Sequence, residues 1–156
     1  MKKEPLLISA CLLGIPCRYD GRSVEGRFGA SSLSVAEALP MLRERYELVP
    51  VCPEIYGGLS TPRTPSERVG DRVRMRDGRD VTAEYSRGAD AALALCRTLG
   101  IRRALLKAKS PSCGVGRIYD GTFSGTLVEG DGVTAERLRA VGVAVFSEDD
   151  LEGLFD

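Results

Sequence analysis

A chain of 156 residues that is 43% hydrophobic, with 22 basic against 22 acidic side chains, can bury one ordinary core but has no bulk charge to draw it to a nucleic-acid polymer or a membrane. It contains no histidine, which excludes Ser-His-Asp and Cys-His catalytic arrangements and His-ligated zinc, and leaves proton transfer to carboxylates, Lys, Tyr or Cys. Its five cysteines need another explanation.

The first segment, Met1 to Cys11, has two lysines and an apolar run ending in Ile8-Ser9-Ala10-Cys11, the outline of a lipoprotein processing site. The run is only Leu6-Leu7-Ile8 behind Glu4-Pro5, whereas an export signal uses roughly 7–15 apolar residues. PLLISA (5–10) is instead expected as a buried strand. No later stretch approaches the ~20 apolar residues of a membrane span, so a cytoplasmic protein is expected. Thiols stay reduced there, and an odd cysteine count also argues against a disulfide framework.

ELVPV (47–51), RALLKA (103–108) and GVAVFS (142–147) repeat this short apolar form, which strands take when both faces of a parallel sheet are covered. Helical spacing separates them. Ser34 to Tyr46 aligns Val35, Leu39, Leu42 and Tyr46; Thr82 to Leu99 aligns Tyr85, Ala89, Ala92, Leu93, Cys96 and Leu99, with Gly100 as C-cap. Thr134 to Val141 is expected as a third helix and SEDDLEGLF, from Ser147, as a fourth. The tetrapeptide VTAE at 81–84 and 133–136 reads as a helix start used twice, the hydroxyl capping and the carboxylate in the first turn, rather than as a duplication. This order predicts an α/β fold: a single-domain, Rossmann-like three-layer sandwich with a mainly parallel central sheet. The exception is 53–80, a Gly- and Pro-rich excursion expected to include a hairpin at VRMRDGRDV (73–81); such long loops are usually functional.

On this map Cys11 follows PLLISA, Cys52 ends ELVPV, and Cys113 lies in the loop after RALLKA. In a parallel sheet those carboxyl ends share one edge, where open α/β folds bind ligands. Cys96 lies on the apolar side of a helix and reads as a small buried hydrophobe; Cys17, six positions after Cys11, is either a fourth ligand or a neighbour. Structural zinc favours CxxC pairs, which are absent, as are the grouped spacings of ferredoxins. A cluster held by three thiolates, with one iron exposed to soft donors, fits better, against the bland alternative that all are core residues.

The blocks SACLLGIPCRYDG (9–21), PVCPEIYGGLSTPR (50–63), GRDVTAEYSRGA (78–89), LLKAKSPSCG (105–114) and IYDGTF (118–123) closely resemble the thiouracil desulfidase family over about residues 7 to 148. The resemblance implies a single-domain α/β protein with a [4Fe-4S] cluster on Cys11, Cys52 and Cys113, and a catalytic pair at Glu54 and Ser110. It also sets Arg18, Tyr19, Asp20, Arg63 and Glu67 within family blocks as candidates to line a substrate pocket; Ser60 stands where the family often has proline. Lys107 and Lys109 are candidates to offset the charge of an anionic cluster, whereas Tyr119-Asp120-Gly121 reads as a turn.

The implied substrate is a small thiolated pyrimidine, and the implied protein a monomer or homodimer. Replacing C=S by C=O leaves the carbon's oxidation state unchanged, so the expected chemistry is hydrolytic and non-redox, with the exposed iron as Lewis acid and hydrogen sulfide as product. Without histidine, Glu54 is the obvious base. A cluster-based sensor or carrier is the competing function, and a thiol or zinc protein without iron a third.

Overall fold

The computed structural model of the chain describes residues 2–22 and 35–156. In chain order its elements are β1 (Glu4–Ser9), α1 (Val35–Arg45), β2 (Tyr46–Val51), α2 (Pro53–Tyr56), β3 (Ser66–Val69), β4 (Arg72–Met75), α3 (Thr82–Leu99), β5 (Arg103–Leu106), β6 (Arg117–Tyr119), β7 (Leu127–Glu129), α4 (Val133–Ala140) and β8 (Ala144–Ser147). Two 3-10 segments, Ala10–Leu13 and Glu148–Phe155, follow β1 and β8. Ser34, where the first helix is expected to begin, lies outside the described residues.

The four apolar runs form one sheet of order β2-β1-β5-β8, parallel at every pairing. Side chains alternate across a strand, which explains why PLLIS is an unbroken apolar run. Leu6 and Ile8 face a core shared with Ala38 and Leu42 of α1 and Leu151 and Leu154 of the C-terminal segment. Leu7 faces the opposite way, with Ala104 and Leu106, onto Ala92 and Cys96 of α3 and Ala135 and Leu138 of α4. Both faces are therefore covered, giving the predicted three layers. A third cluster of Leu59, Val73, Met75, Val81 and Tyr85 lies under the β3–β4 hairpin.

Four expectations change. The segment from Glu148 is a 3-10 element broken at Asp150 (φ −137°, ψ 54°) instead of an α-helix. It buries Glu148, Leu151 and Leu154, a spacing of three that matches the 3-10 period. The hairpin expected at 73–81 forms its turn, with the Gly78 N–H donating to the Met75 carbonyl, but only one bridge, Arg74 to Asp80, beyond it. The return strand is cut short because Asp80 accepts the Thr82 N–H at the start of α3 (2.9 Å), and Arg72–Met75 pairs instead with β3. IYDGTF belongs to a β6–β7 hairpin that strand patterning did not signal. Neither VTAE threonine caps its helix: Thr82 Oγ1 accepts the Val73 N–H and Thr134 Oγ1 meets Ser112 Oγ, both across to other elements.

Candidate active site

At the carboxyl edge of the sheet the chain leaves β1, β2 and β5 in quick turns, and each turn carries one cysteine. Cys11 lies in the 3-10 turn after β1, Cys52 joins β2 to α2, and Cys113 sits in the loop beyond β5. All three line one cavity of about 580 Å³, together with Cys17, Glu54 and Ser110. All five cysteines are free thiols, and Cys96 lies away from the cavity in the core against α4, as a small hydrophobe.

Close backbone packing fixes two of these turns. Pro53 opens α2 at a position where its missing N–H costs nothing, and α2 lies against α3 where both present glycine. A Cβ on Gly88 would stand 1.9 Å from the Pro53 carbonyl oxygen, and one on Gly57 1.9 Å from that of Glu84. The Cys113 loop is tied to α4. The first-turn amides of a helix lack internal acceptors; here the Val133 N–H donates to the Pro111 carbonyl (2.9 Å) and the Thr134 N–H to that of Ser112 (2.8 Å). Beneath them the two buried hydroxyls Ser112 Oγ and Thr134 Oγ1 meet at 2.9 Å. A Cβ on Gly132 would come within 2.4 Å of the Ser112 carbonyl.

Glu54 is the polar centre. Its Oε2 accepts from Arg63 Nε (3.1 Å), from Arg63 Nη2 at closer range, and from the Tyr85 hydroxyl (3.2 Å). Among the described residues, its Oε1 accepts the Ser110 hydroxyl alone, at 3.4 Å. Ser110 Oγ itself accepts the N–H groups of Ser112 and Cys113, both at 3.1 Å. One carboxylate oxygen is thus saturated, and the other is turned toward the serine on the cysteine loop.

The electrostatics follow from burial. Arg63 is pulled down by desolvation, but the charge and hydrogen bond of Glu54 outweigh this and hold its guanidinium above its ordinary value. Burial raises Tyr85 well above the usual phenol range, so it stands as a hydrogen-bond donor. Burial, then the Glu54 charge, pushes the Cys113 thiol up to about 12. A hydrogen bond with Cys11 is the largest cause lifting Cys17 to about 11, and one with Cys17 is the largest cause raising Cys52. Cys17 thus stands between Cys11 and Cys52, in hydrogen-bond contact with both, and the cavity offers a donor set that is soft and without histidine.

A family model for 2-thiouracil desulfurase matches residues 6–150. The chain belongs to the 2-thiouracil desulfurase family. Among its relatives, a Bacillus subtilis (strain 168) protein, YbbK, of uncharacterised function is 38% identical over 159 residues, covering 96% of this chain and 99% of that one. A solved structure of a [4Fe-4S]-dependent thiouracil desulfidase, TudS, is 50% identical, covers 98% of this chain and 96% of its own, and superposes with a TM-score of 0.87.

For this member of the desulfurase family, Arg18, Tyr19, Arg63, Glu67, Lys107 and Lys109 all line the cavity. Asp20 does not; its Oδ1 accepts the Arg22 N–H in a local turn (3.0 Å). Three of the cavity residues are engaged within the protein. Arg63 is committed to Glu54 and, through Nη1, to the Cys17 carbonyl (3.3 Å). Lys107 Nζ pairs with Glu148 (2.7 Å), and Glu67 Oε1 accepts the N–H groups of Gly121 (2.9 Å) and Phe123 (3.1 Å).

Sequence reasoning passed over Ser9, Tyr85, Arg76, Phe123 and Glu148. Tyr85 falls on the apolar face of its helix by spacing, yet a phenol buried there carries a polar tip that usually finds a partner. Glu148, only 2% exposed, sits just after a strand end, which was a usable signal.

Proposed function

We propose that this protein is a [4Fe-4S]-dependent thiouracil desulfidase, one desulfidase-like domain over residues 1–156, that hydrolyses the C=S group of a small thiolated pyrimidine without redox change. The observation that carries the reading is the convergence of Cys11, Cys52 and Cys113, from three strand ends, with the Glu54–Ser110 pair on a single cavity. The donor set fits the group: three soft thiols, and no histidine in the chain. Family membership and the 50% identical TudS structure support the same reading.

When bound through these three thiolates, the cluster supplies a Lewis-acidic iron toward the thiocarbonyl sulfur. The chain's own residues perform the proton transfers. Glu54 Oε1 takes a proton from the attacking water, while Arg63 and Tyr85 keep Oε2 occupied and the carboxylate fixed. Ser110, held by the amides of Ser112 and Cys113, orients the water and relays the proton toward departing sulfide. One water enters as C=S becomes C=O and hydrogen sulfide leaves, so no electron donor is needed. Arg18, Tyr19 and Lys109 line the cavity and are assigned here to contact the substrate. No helix among the described residues is long and apolar enough to cross a membrane; the reading proposed is of a cytoplasmic enzyme that works on a small molecule as monomer or homodimer.

The test is Glu54→Gln in anaerobically reconstituted protein with 2-thiouracil. Iron and acid-labile sulfide should stay at wild-type content while sulfide release falls by about 10²–10⁴-fold, the range for loss of a general base. Full turnover by the variant would remove Glu54 from the mechanism. A loaded wild type that releases no sulfide would leave the sensor or carrier reading.

A further inference from the structure

On the wall of the same cavity, backbone strain is concentrated at two positions. Lys109 (φ 68°) and Phe123 (φ 57°) are the non-glycine residues with positive φ among those described, and both line this cavity. For an aromatic residue this conformation is disfavoured, and such strain persists only where surrounding groups hold it, clustering at active sites, ligand clamps and switch regions. At Phe123 the holding groups are explicit. Glu67, from β3, accepts the N–H groups of both Gly121 and Phe123 on one oxygen, Oε1. Gly121 (φ 95°) lies so close to Val69 that a Cβ there would be 2.1 Å from its Cγ2, so the loop is pressed onto β3. The Arg76 guanidinium, also on the cavity wall, stands 5.6 Å from the centroid of the Phe123 ring.

An apolar ring that only filled space would not need a strained backbone, a carboxylate from another element on its amide and a cation over its π-face. We propose that Phe123, backed by Arg76 and aimed by Glu67, is the platform on which the flat conjugated ring of the substrate stacks, and so determines specificity for a planar heterocycle. Stacking suits the chemistry assigned to the site because a ring laid flat presents its thiocarbonyl edge-on, in one plane. Glu67 is then a positioning residue that acts through the Phe123 amide. The inference rests on the desulfidase reading for the identity of the ring, but not for the existence of the platform.

The experiment uses cluster-loaded protein with two readouts: KM and kcat for sulfide release from 2-thiouracil, and calorimetric affinity for uracil as the probe. Phe123→Leu keeps apolar bulk and the same backbone restriction but removes the π-face; Phe123→Tyr keeps the face. Base–aromatic stacking converts to about a 5- to 150-fold effect on affinity. Phe123→Leu should raise KM and the uracil dissociation constant within that range with kcat changed by less than about threefold. Phe123→Tyr should remain within about threefold of wild type in both. Glu67→Ala, which leaves the ring intact but releases its amide, should weaken uracil in the same direction. Iron content should not change in any of them.

Equal uracil affinity in Phe123→Leu and wild type would overturn the platform, as would Phe123→Tyr losing as much as Phe123→Leu, or iron lost in step with affinity. A wild type that binds uracil through Phe123 yet releases no sulfide would uphold the platform and sink the desulfidase reading.

Discussion

Removing the ammonium of Lys107 should destabilise the protein more than removing both members of its ion pair. Glu148 is 2% exposed, with Oε2 2.7 Å from Lys107 Nζ and Oε1 accepting the Ala108 N–H at 2.5 Å. Unit charges at that separation attract by roughly 6 kcal/mol at an effective dielectric of about 20. Desolvating a buried carboxylate takes several kcal/mol of this back. Lys107→Met leaves that carboxylate with one amide donor, and breaking a buried pair from one side costs about 3–5 kcal/mol. The Lys107 side chain is 25% exposed, so water can partly solvate the orphan and the lower end, about 3 kcal/mol, applies.

In a chain of this size that corresponds to a fall in Tm of about 6–12 °C. Lys107→Met/Glu148→Gln keeps an acceptor for the Ala108 N–H and buries no charge, so it should lie within about 1 kcal/mol of wild type. Urea unfolding of the cluster-loaded proteins under anaerobic conditions gives the cycle, and iron per chain shows whether the loop beyond Ala108 still holds its metal. A Lys107→Met cost below about 1 kcal/mol, or a double variant less stable than Lys107→Met, would refute the reasoning.

The remaining predictions concern the cluster loop. Gly132→Ala places a methyl 2.4 Å from backbone atoms of Ser112, which can be relieved only by moving the Cys113 loop; iron content should fall well below wild type and Tm should drop, both measurable on purified protein. Cys17→Ala should retain about four irons per chain while Cys113→Ala should not, because three thiolates suffice for the cluster; iron analysis and the visible absorption of the cluster decide this.

Much of this architecture was legible because its signals are local. A strand buried on both faces must be continuously apolar, and four such runs alternating with helical spacing leave few topologies. The cysteines could be placed at one edge by the same logic, since the carboxyl ends of parallel strands lie together. What was not legible is what depends on pairing across the chain. Arg63 reads as a substrate contact until the fold sets it on Glu54, nine positions earlier. Asp20 sits in a suggestive motif, but its carboxylate is used by the turn it occupies. The β6–β7 hairpin has strands of only three residues, too short for a period-of-two pattern to declare itself. The C-terminal segment looked helical because spacing of three and of 3.6 are hard to tell apart over eight residues.

The hydrogen bonds that α4 shares with the Cys113 loop have a bearing on redesign. Pro111 and Ser112 supply the acceptors that the opening amides of α4 would otherwise lack, and Gly132 is the contact surface between them. The smallest portable unit for grafting this chemistry into another parallel sheet is therefore not the short motif SPSCG. It is that motif with the start of its supporting helix, two segments some twenty residues apart that have to travel as one piece.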